Sequence, residues 1–225
     1  ALDDMADKIR AHGATIHLNS PVSAMDVQNG KPRLQVNGEW HTFDRVLSTT
    51  SPSLLLKLGG DALRNTDYGV QVGGLKSIGA VCVVFALKQS LLTDGTYWLN
   101  LPATSPDKAQ SQFPFLALVE HTNWMDKTHY NGDVLVYCGD YVPADHEYFQ
   151  MDESALIVRF ASVLSTFNPD FKPDWIRKAW AFRAPYAQPV PSIHHSQHIP
   201  TLKTPLDGVY WASMSQVYPW DRGTN

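Results

Sequence analysis

Two Asn-Gly pairs, Asn29-Gly30 and Asn37-Gly38, constrain the fold of this chain more strongly than any other feature of its sequence. Asparagine and glycine tolerate the positive φ angles of the tight turns that join antiparallel strands, so each pair predicts a hairpin. Leu34 and Val36 alternate with polar residues between the two turns. The sequence therefore predicts a small antiparallel meander over residues 22–47, separate from the main sheet.

One helix is predicted before the meander and another after it. Apolar residues at helical spacing open the chain, and Gly13 closes that segment. A short strand is expected next, over residues 14–18. Ser51-Pro52 predicts the start of the second helix, which runs to Gly59-Gly60, because proline is favoured in a first helical turn. The apolar repeat of the first helix consists of Leu2, Met5, Ala6 and Ile9.

The rest of the chain predicts a larger sheet with one long helix. The run AVCVVFAL, residues 80–87, is apolar throughout and has the length of a buried strand. An amphipathic helix is expected over residues 152–167, and a proline-rich extended segment over residues 184–205. The order of elements favours an α+β or mixed α/β fold, with a largely antiparallel sheet flanked by helices. Further strands are expected over residues 97–101, 115–119, 134–137, 175–182 and 209–212.

The composition limits the classes of function. Of the 225 residues, 44% are hydrophobic and 18% are charged, which is enough apolar material for a sizeable core. A net charge of -4 without a basic stripe argues against nucleic acid as a partner. No apolar run approaches the roughly 20 residues of a membrane span. Cys82 and Cys138 lie inside apolar runs, which favours two buried thiols and a cytoplasmic location.

Familiar catalytic and nucleotide-binding motifs are missing from the sequence. It contains neither a GxGxxG nor a GxxxxGK phosphate loop, and no GxSxG nucleophile motif. His194, His195 and His198 are interpreted as exposed loop residues and not as metal ligands, because no Cys, Asp or Glu lies beside them in sequence. Glu120-His121, at the end of a predicted strand, is open to two interpretations: an acid/base pair, or the more common structural role.

A dense group of aromatic and charged residues near the C terminus is the best candidate for a binding site. Core packing and a small-molecule pocket both account for these residues, and the sequence pattern does not separate the two. The candidate substrate-binding residues are Trp180, Arg183, Tyr186, Tyr218, Trp220 and Arg222.

The order of several stretches resembles a known family. LDDMADKIRAHGATIHLNSPVSAMDVQNG, followed by FDRVLSTTSPSLLLKL, is similar to the middle of flavoproteins in the amine oxidase, protoporphyrinogen oxidase and phytoene desaturase superfamily. KAWAFRAPYAQP and GVYWASMSQVYPWDRGTN resemble two late elements of the same proteins, the second of which leads into a helix that points at the flavin. The resemblance rests on this order and not on one diagnostic motif.

The resemblance implies a central piece of an FAD-dependent oxidoreductase. In the family, the dinucleotide fingerprint lies upstream of the position of Ala1, and the last helix lies downstream of Asn225. The implied domains are a partial FAD-binding domain over residues 1–52, a substrate-binding domain over 53–200 and a return strand over 201–225. The chain by itself is then expected to retain no FAD and to be inactive.

The resemblance also implies contacts with the cofactor. Ser213 and Met214 stand where the family usually has Gly followed by Glu or Asp, so backbone contacts would replace a carboxylate there. In the family, the matching positions lie against the adenine ring, at the crossover between the domains, at the end of the closing strand and at the start of the last helix. They are held here by Val22, Thr49, Thr50, Pro52, Ser213, Met214, Thr224 and Asn225.

The implied reaction is hydride transfer to FAD from an apolar or ring-shaped small molecule. Trp180, Tyr186, Tyr218 and Trp220 would converge beside the flavin, with the two candidate arginines at the rim. Amine oxidases often carry a lysine where Cys82 or a neighbour stands here, which weakens an amine as the substrate. Two alternatives remain, a flavin-dependent sugar-nucleotide mutase that uses the arginines and a binding module without cofactor. No membrane span is expected, and the oligomeric state is left open.

Overall fold

The computed structural model describes residues 2–105 and 110–219, and it divides the chain into two compact units. The first unit combines residues 1–75 with residues 191–225, and the second unit contains residues 76–190. Residues 53–75, which the sequence assigned to the substrate-binding domain, lie in the first unit. The functional boundaries at residues 52 and 200 stay a prediction.

The first unit contains the predicted meander. Strands β1 (Val22–Gln28), β2 (Lys31–Val36) and β3 (Glu39–Thr42) form a three-stranded antiparallel sheet in that order, with Met25 opposite Leu34. Asn29, Gly30, Asn37 and Gly38 all have φ between 51° and 88°, as the hairpin turns require. The meander is therefore confirmed, although it ends at Thr42. Helix α1 (Leu2–Ala11) precedes the meander.

Strand β4 (Val46–Ser48) leaves the meander and pairs in parallel with β10 (Val209–Trp211). This pairing corrects the expectation that the meander continues to residue 47. The expected strand over residues 14–18 is wrong, because that segment is largely exposed and has no partner strand within the described residues. A strand depends on a neighbouring ladder of backbone hydrogen bonds, which the local sequence cannot supply.

Helices α2 (Pro52–Arg64) and α3 (Asp67–Gly73) complete the first unit. Ser51 caps α2 through its hydroxyl, which accepts a hydrogen bond from the N–H of Leu54. Gly60 has a φ of 57°, so α2 kinks at the predicted Gly59-Gly60 position and continues for another turn. The core of this unit is formed by buried Met25, Leu55, Leu58, Leu63, Val72, Val209 and Trp211.

The second unit is built on a five-stranded antiparallel sheet. In order across the sheet, the strands are β6 (Trp98–Asn100), β7 (Ala117–Glu120), β8 (Val134–Val142), β5 (Lys76–Leu87) and β9 (Ile176–Val190). Strand β9 runs eight residues further than expected, through Pro185 and Pro189, to Val190. Because β9 is an edge strand, proline does not interrupt the ladder between two neighbours.

Helix α4 (Glu153–Ala161) covers one face of this sheet. Leu156 and Phe160 of the helix are fully buried against Val83 and Phe85 of β5 and their neighbours. The helix is shorter than the expected 152–167, since a 3-10 turn replaces its last part. The opposite face of the sheet carries no such helix among the described residues. None of the helices in the described ranges has the length and apolar character needed to cross a membrane.

Candidate functional site

The uncovered face of the five-stranded sheet is a groove with a floor of small side chains. Strand register aligns Cys82 with Gly139, Gly139 with Ala117, and Ala117 with Asn100. Residues directly opposite each other in a sheet project from the same face, so these four form one row across four strands. Three of them are too small to fill the space above the backbone, which leaves a depression in the sheet.

Aromatic side chains flank this floor. The next row on the same face aligns Trp98 with Val119, and Val119 with Tyr137. On the other side of the floor, Tyr141 stands opposite Ala80. Together they enclose a cavity of about 570 Å³. Its lining residues are Ala80, Val81, Cys82, Tyr97, Trp98, Asn100, Leu116, Ala117, Val119, His121, Tyr137, Gly139, Asp140 and Tyr141.

His121 lies at one end of the groove, within a cage of aromatic rings. Its Nε2 is 2.8 Å from the hydroxyl oxygen of Tyr130. The imidazole stands edge-on to Tyr137, with ring centroids 5.7 Å apart, and edge-on to Trp124 at 6.3 Å. The contacts fix the imidazole in one orientation beside an otherwise mostly apolar cavity.

Glu120 points to the opposite face of the sheet and does not pair with His121. It is buried, and its carboxylate accepts hydrogen bonds from the Ser90 hydroxyl at 2.6 Å and from the N–H groups of Leu91 and Leu92. Burial raises the pKa of Glu120, and these hydrogen bonds oppose the shift. Of the two interpretations of Glu120-His121, the geometry supports a structural role for the glutamate and leaves the histidine available.

Burial acts on two titratable groups of the groove, Cys82 and Tyr137. Burial raises the pKa of Cys82 to about 11, and both cysteines are free thiols. Burial also raises the pKa of Tyr137, as do the neighbouring Tyr130 and Cys82. Cys82 and Tyr137 therefore face a ligand as thiol and hydroxyl near neutral pH.

The candidate substrate residues on β9 divide between the two faces. Trp180 is aligned with Val84 and so lies on the groove face, where the Lys178 ammonium stands 4.8 Å from its ring, but it does not line the cavity. Arg183 is aligned with the core residue Val81 and donates hydrogen bonds to backbone carbonyls of Tyr148 and Met151.

This arginine therefore stabilises the fold on the covered face, and its role at a substrate rim stays a prediction without geometric support. Tyr186 lies further along the same strand and is half-buried. Its role in substrate binding also stays a prediction.

The remaining candidates lie elsewhere in the chain. Tyr218 belongs to the first unit, where its ring packs 5.6 Å from that of His195. Trp220 and Arg222 lie outside the described residues. The interpretation of His195 as an exposed loop residue is wrong, because it is buried and its Nε2 lies 2.9 Å from the Ser215 carbonyl oxygen. The proline-rich sequence around His195 has no periodic apolar pattern from which its burial could have been predicted.

The candidate cofactor residues of the first unit gather at one edge of the β4-β10 pair. Because the two strands are parallel, their carboxyl ends meet at this edge, where Thr49, Thr50 and Ser213 follow them. The Trp211 indole N–H donates to the Thr50 carbonyl at 2.9 Å, and the Thr50 hydroxyl lies 2.9 Å from that of Ser48.

The other candidates surround or lie apart from this edge. Pro52 is buried in the first turn of α2, and Met214 opens a short 3-10 turn after β10. Val22 opens β1 in the meander. Thr224 and Asn225 lie outside the described residues. The binding of a cofactor by any of these residues stays a prediction.

Most residues of the groove were not among the sequence candidates. Tyr137, Gly139 and Tyr141 of β8 alternate with buried Val136, Cys138 and Val142, so their pattern does contain the open face. The sequence signal was the alternation in β8, which places Gly139 between Tyr137 and Tyr141 on the face away from the core. It could be interpreted only once the register with the neighbouring strands was known.

The fold is similar to that of several solved structures. A protein assigned as a protoporphyrinogen oxidase from Exiguobacterium sp. 255-15 matches 96% of this chain and 46% of its own, at a TM-score of 0.72 and 15% identity. An oxidoreductase from Methanosarcina mazei matches 94% of this chain and 47% of its own, at a TM-score of 0.67 and 19% identity. A reduced UDP-galactopyranose mutase matches 88% of this chain and 40% of its own, at a TM-score of 0.63 and 16% identity.

The chain thus spans about half the length of the structures that it resembles. Comparison with curated proteins found no significant sequence match. A family model described as flavin containing amine oxidoreductase matches residues 1–219, which is nearly the whole chain. On this match, the chain belongs to the family of flavin-containing amine oxidoreductases.

Proposed function

We propose that this chain is the substrate-binding part of an FAD-dependent oxidoreductase, together with two strips of its FAD-binding domain. The groove on the open face of the five-stranded sheet holds the substrate. The reaction is a dehydrogenation in which an apolar or ring-shaped small molecule loses a hydride. The family match and one structural observation support this proposal. The observation is the groove with its floor of small residues and its aromatic flanks.

The dimensions and chemistry of the groove support this substrate class. A cavity of about 570 Å³ lies within the roughly 300–1,000 Å³ that is typical of small-molecule sites. Trp98, Tyr137 and Tyr141 offer flat apolar surfaces, and the floor of Cys82, Ala117 and Gly139 admits close approach of a planar ring. Such walls exclude water from the reacting bond.

The carboxyl edge of β4 and β10 fits part of a flavin dinucleotide. Short hydroxyl-bearing residues follow parallel strands there, which suits close approach of a ligand to the backbone. FAD, when bound, supplies a two-electron acceptor for the hydride. The residues of this edge would orient the cofactor, and we assign them no chemical step. The free thiols of Cys82 and Cys138 are in keeping with the predicted cytoplasmic location.

The observations favour dehydrogenation over the mutase alternative. A sugar-nucleotide mutase needs cationic side chains that face a diphosphate. Among the described residues that line the groove there is no lysine or arginine, and Arg183 is bonded to backbone carbonyls on the other face. The likeness to the mutase structure concerns the fold.

A groove-filling substitution tests the proposed substrate site in the full-length protein. A Cβ built on Gly139 meets only the Val81 carbonyl, at 3.9 Å, so Gly139→Leu extends into the groove without a clash at its base. We expect substrate-dependent flavin reduction to lose at least tenfold in kcat/KM, since the side chain occupies the space of a substrate ring.

Ala184→Leu is the matched control for this test. It adds similar bulk to the same face, on edge strand β9, outside the residues that line the cavity. Unchanged kcat/KM in Gly139→Leu, with the control also unchanged, would show that the substrate binds elsewhere.

A simpler measurement tests whether this chain holds only part of the cofactor site. The 225-residue chain has no phosphate-cradling glycine motif and offers only edge contacts to a dinucleotide. We expect the purified chain to be colourless and to stay so after incubation with FAD and removal of free cofactor. A stoichiometric yellow protein with flavin absorbance would overturn this expectation.

A further inference from the structure

His121 is the one imidazole among the described residues that line the groove. Removing a hydride from a neutral substrate leaves a cation, so dehydrogenation also requires the loss of a proton. Cys82 and Tyr137 have pKa values raised by burial, and Asp140 is buried in register with Val81 on the core face. A neutral imidazole has the appropriate basicity.

We propose that His121 is the catalytic proton acceptor of the groove and that Tyr130 is its positioning residue. This inference rests on the function proposed above and assigns a role to a residue of the same site. The geometry behind it is the imidazole at the end of the groove, its 2.8 Å contact with Tyr130, and the two anchors of the turn that carries it.

The backbone around His121 is fixed on both sides. Glu120, just before it, is tied to the turn at residues 90–92 through three hydrogen bonds. Asn123, two residues later, donates from its side-chain amide to the carbonyls of Leu92 at 3.0 Å and Thr96 at 2.9 Å. A base held in this way needs little reorganisation when a substrate arrives, which is the condition for efficient proton transfer.

The Tyr130 hydroxyl can donate to Nε2 of His121 or accept from it, and the proposal takes the second arrangement. If Nε2 carries the proton and donates it to the Tyr130 oxygen, Nδ1 keeps its lone pair. Within the described residues, no hydrogen bond to Nδ1 of His121 is present. Nδ1 is therefore the nitrogen that we assign as the proton acceptor.

The proposed step balances in atoms and electrons. FAD, when bound, would supply the two-electron oxidant that takes the hydride from a substrate carbon. A proton leaves an adjacent C–H or N–H bond to Nδ1 of His121, and the electron pair of that bond becomes the new π bond. The product is a C=C or C=N compound with two hydrogens fewer, and the imidazolium returns its proton to solvent.

The first test measures the tautomer and needs no activity. In 15N spectra of the 225-residue chain at about pH 8, where an ordinary imidazole is neutral, we expect His121 to show a protonated Nε2 and an unprotonated Nδ1. Tyr130→Phe should convert this signal to a mixture of tautomers. A single Nδ1–H tautomer in the unsubstituted chain would overturn the assignment of the base.

The second test is kinetic and uses the full-length, flavin-loaded protein. We expect His121→Ala to lower the first-order rate of flavin reduction at saturating substrate by about a hundredfold, as for loss of a general base. Substrate affinity should change by less than about threefold, because a base acts mainly in the transition state. Added imidazole should restore part of the rate in a concentration-dependent manner, which a purely structural role would not allow.

His129→Ala is the control, since it removes an exposed histidine one residue from Tyr130. An unchanged rate in His121→Ala, or a loss confined to substrate affinity, would overturn the role of His121. Either result leaves the proposed function intact if the unsubstituted protein still reduces its flavin. Absence of flavin reduction with every apolar ring substrate in the unsubstituted protein would instead contradict the proposed function itself.

Discussion

The two faces of the five-stranded sheet are built by the same strands, yet their side chains differ in size and exposure. On the covered face, Val83, Phe85 and Cys138 are fully buried beneath α4. On the groove face, the row through Cys82, Gly139 and Ala117 holds small side chains, with Tyr141 in the row on one side and Trp98 and Tyr137 in the row on the other. Side-chain alternation along each strand thus separates a packed layer from a concave one.

Alternate residues of the same strands thus belong either to the packed core or to the open groove. The covered face buries apolar area and so supplies most of the folding free energy of this unit. Gly139 on the groove face has no side chain to bury, and a Cβ built on it would meet only the Val81 carbonyl within 4 Å. Substitutions on the two faces should therefore differ in kind, which can be measured.

The largest expected difference is between two phenylalanines of neighbouring strands. Phe85 on β5 is fully buried on the covered face, whereas Phe182 on β9 lies on the groove face and is 58% exposed. Phe85→Ala should lower the free energy of unfolding by about 3–5 kcal/mol, because it removes buried area and leaves a cavity. Phe182→Ala should cost less than about 1 kcal/mol. Urea denaturation of both variants of the chain measures the difference, and equal losses would contradict the assignment of faces.

The sequence predicted the elements of this fold better than it predicted the site. Asn29-Gly30 and Asn37-Gly38 each act through the local φ preference of two residues, so the meander could be predicted without tertiary information. The apolar run of β5 likewise identified a central strand. The strand predicted at residues 14–18 failed because pairing is a property of two segments and not of one.

The groove could not be predicted because it depends on register between distant strands. Cys82, Gly139, Ala117 and Asn100 form one row only when four separate strands are aligned, and no local pattern specifies that alignment. The aromatic cluster near the C terminus was dense in sequence, but its members divide between two faces and two compact units. Density along the chain was therefore a poor guide to proximity in space.

The two cysteines provide a second comparison of the faces. Cys82 lies on the groove face with a pKa raised to about 11, and Cys138 is fully buried on the covered face, where burial also raises its pKa. Thiolate is the reactive form, so near neutral pH Cys82 should alkylate about a hundredfold more slowly than an ordinary exposed thiol. Cys138 should not react in the folded chain.

Iodoacetamide labelling followed by mass spectrometry measures both rates. Because the pKa of Cys82 is raised, its rate should continue to increase with pH up to about pH 11, where an ordinary thiol has already levelled off above about pH 9. Cys138→Ala should leave the labelling of Cys82 unchanged. Faster labelling of Cys138 than of Cys82 in the folded chain would reverse the assignment of the two faces.

Two glycines provide the smallest and most direct comparison. A Cβ on Gly79, which is buried, would lie 2.5 Å from the Phe149 ring and 3.1 Å from the Ala184 carbonyl oxygen, whereas a Cβ on Gly139 meets only the Val81 carbonyl oxygen at 3.9 Å. Gly79→Ala should therefore destabilise the chain by about 1–3 kcal/mol through overpacking. Gly139→Ala should stabilise it by about 0.4–1 kcal/mol, because alanine reduces the conformational freedom of the unfolded chain. Thermal and urea unfolding of the two variants measure the sign of each change in the free energy of unfolding. A loss of stability in Gly139→Ala would mean that the groove floor is packed more closely than its register and open space indicate.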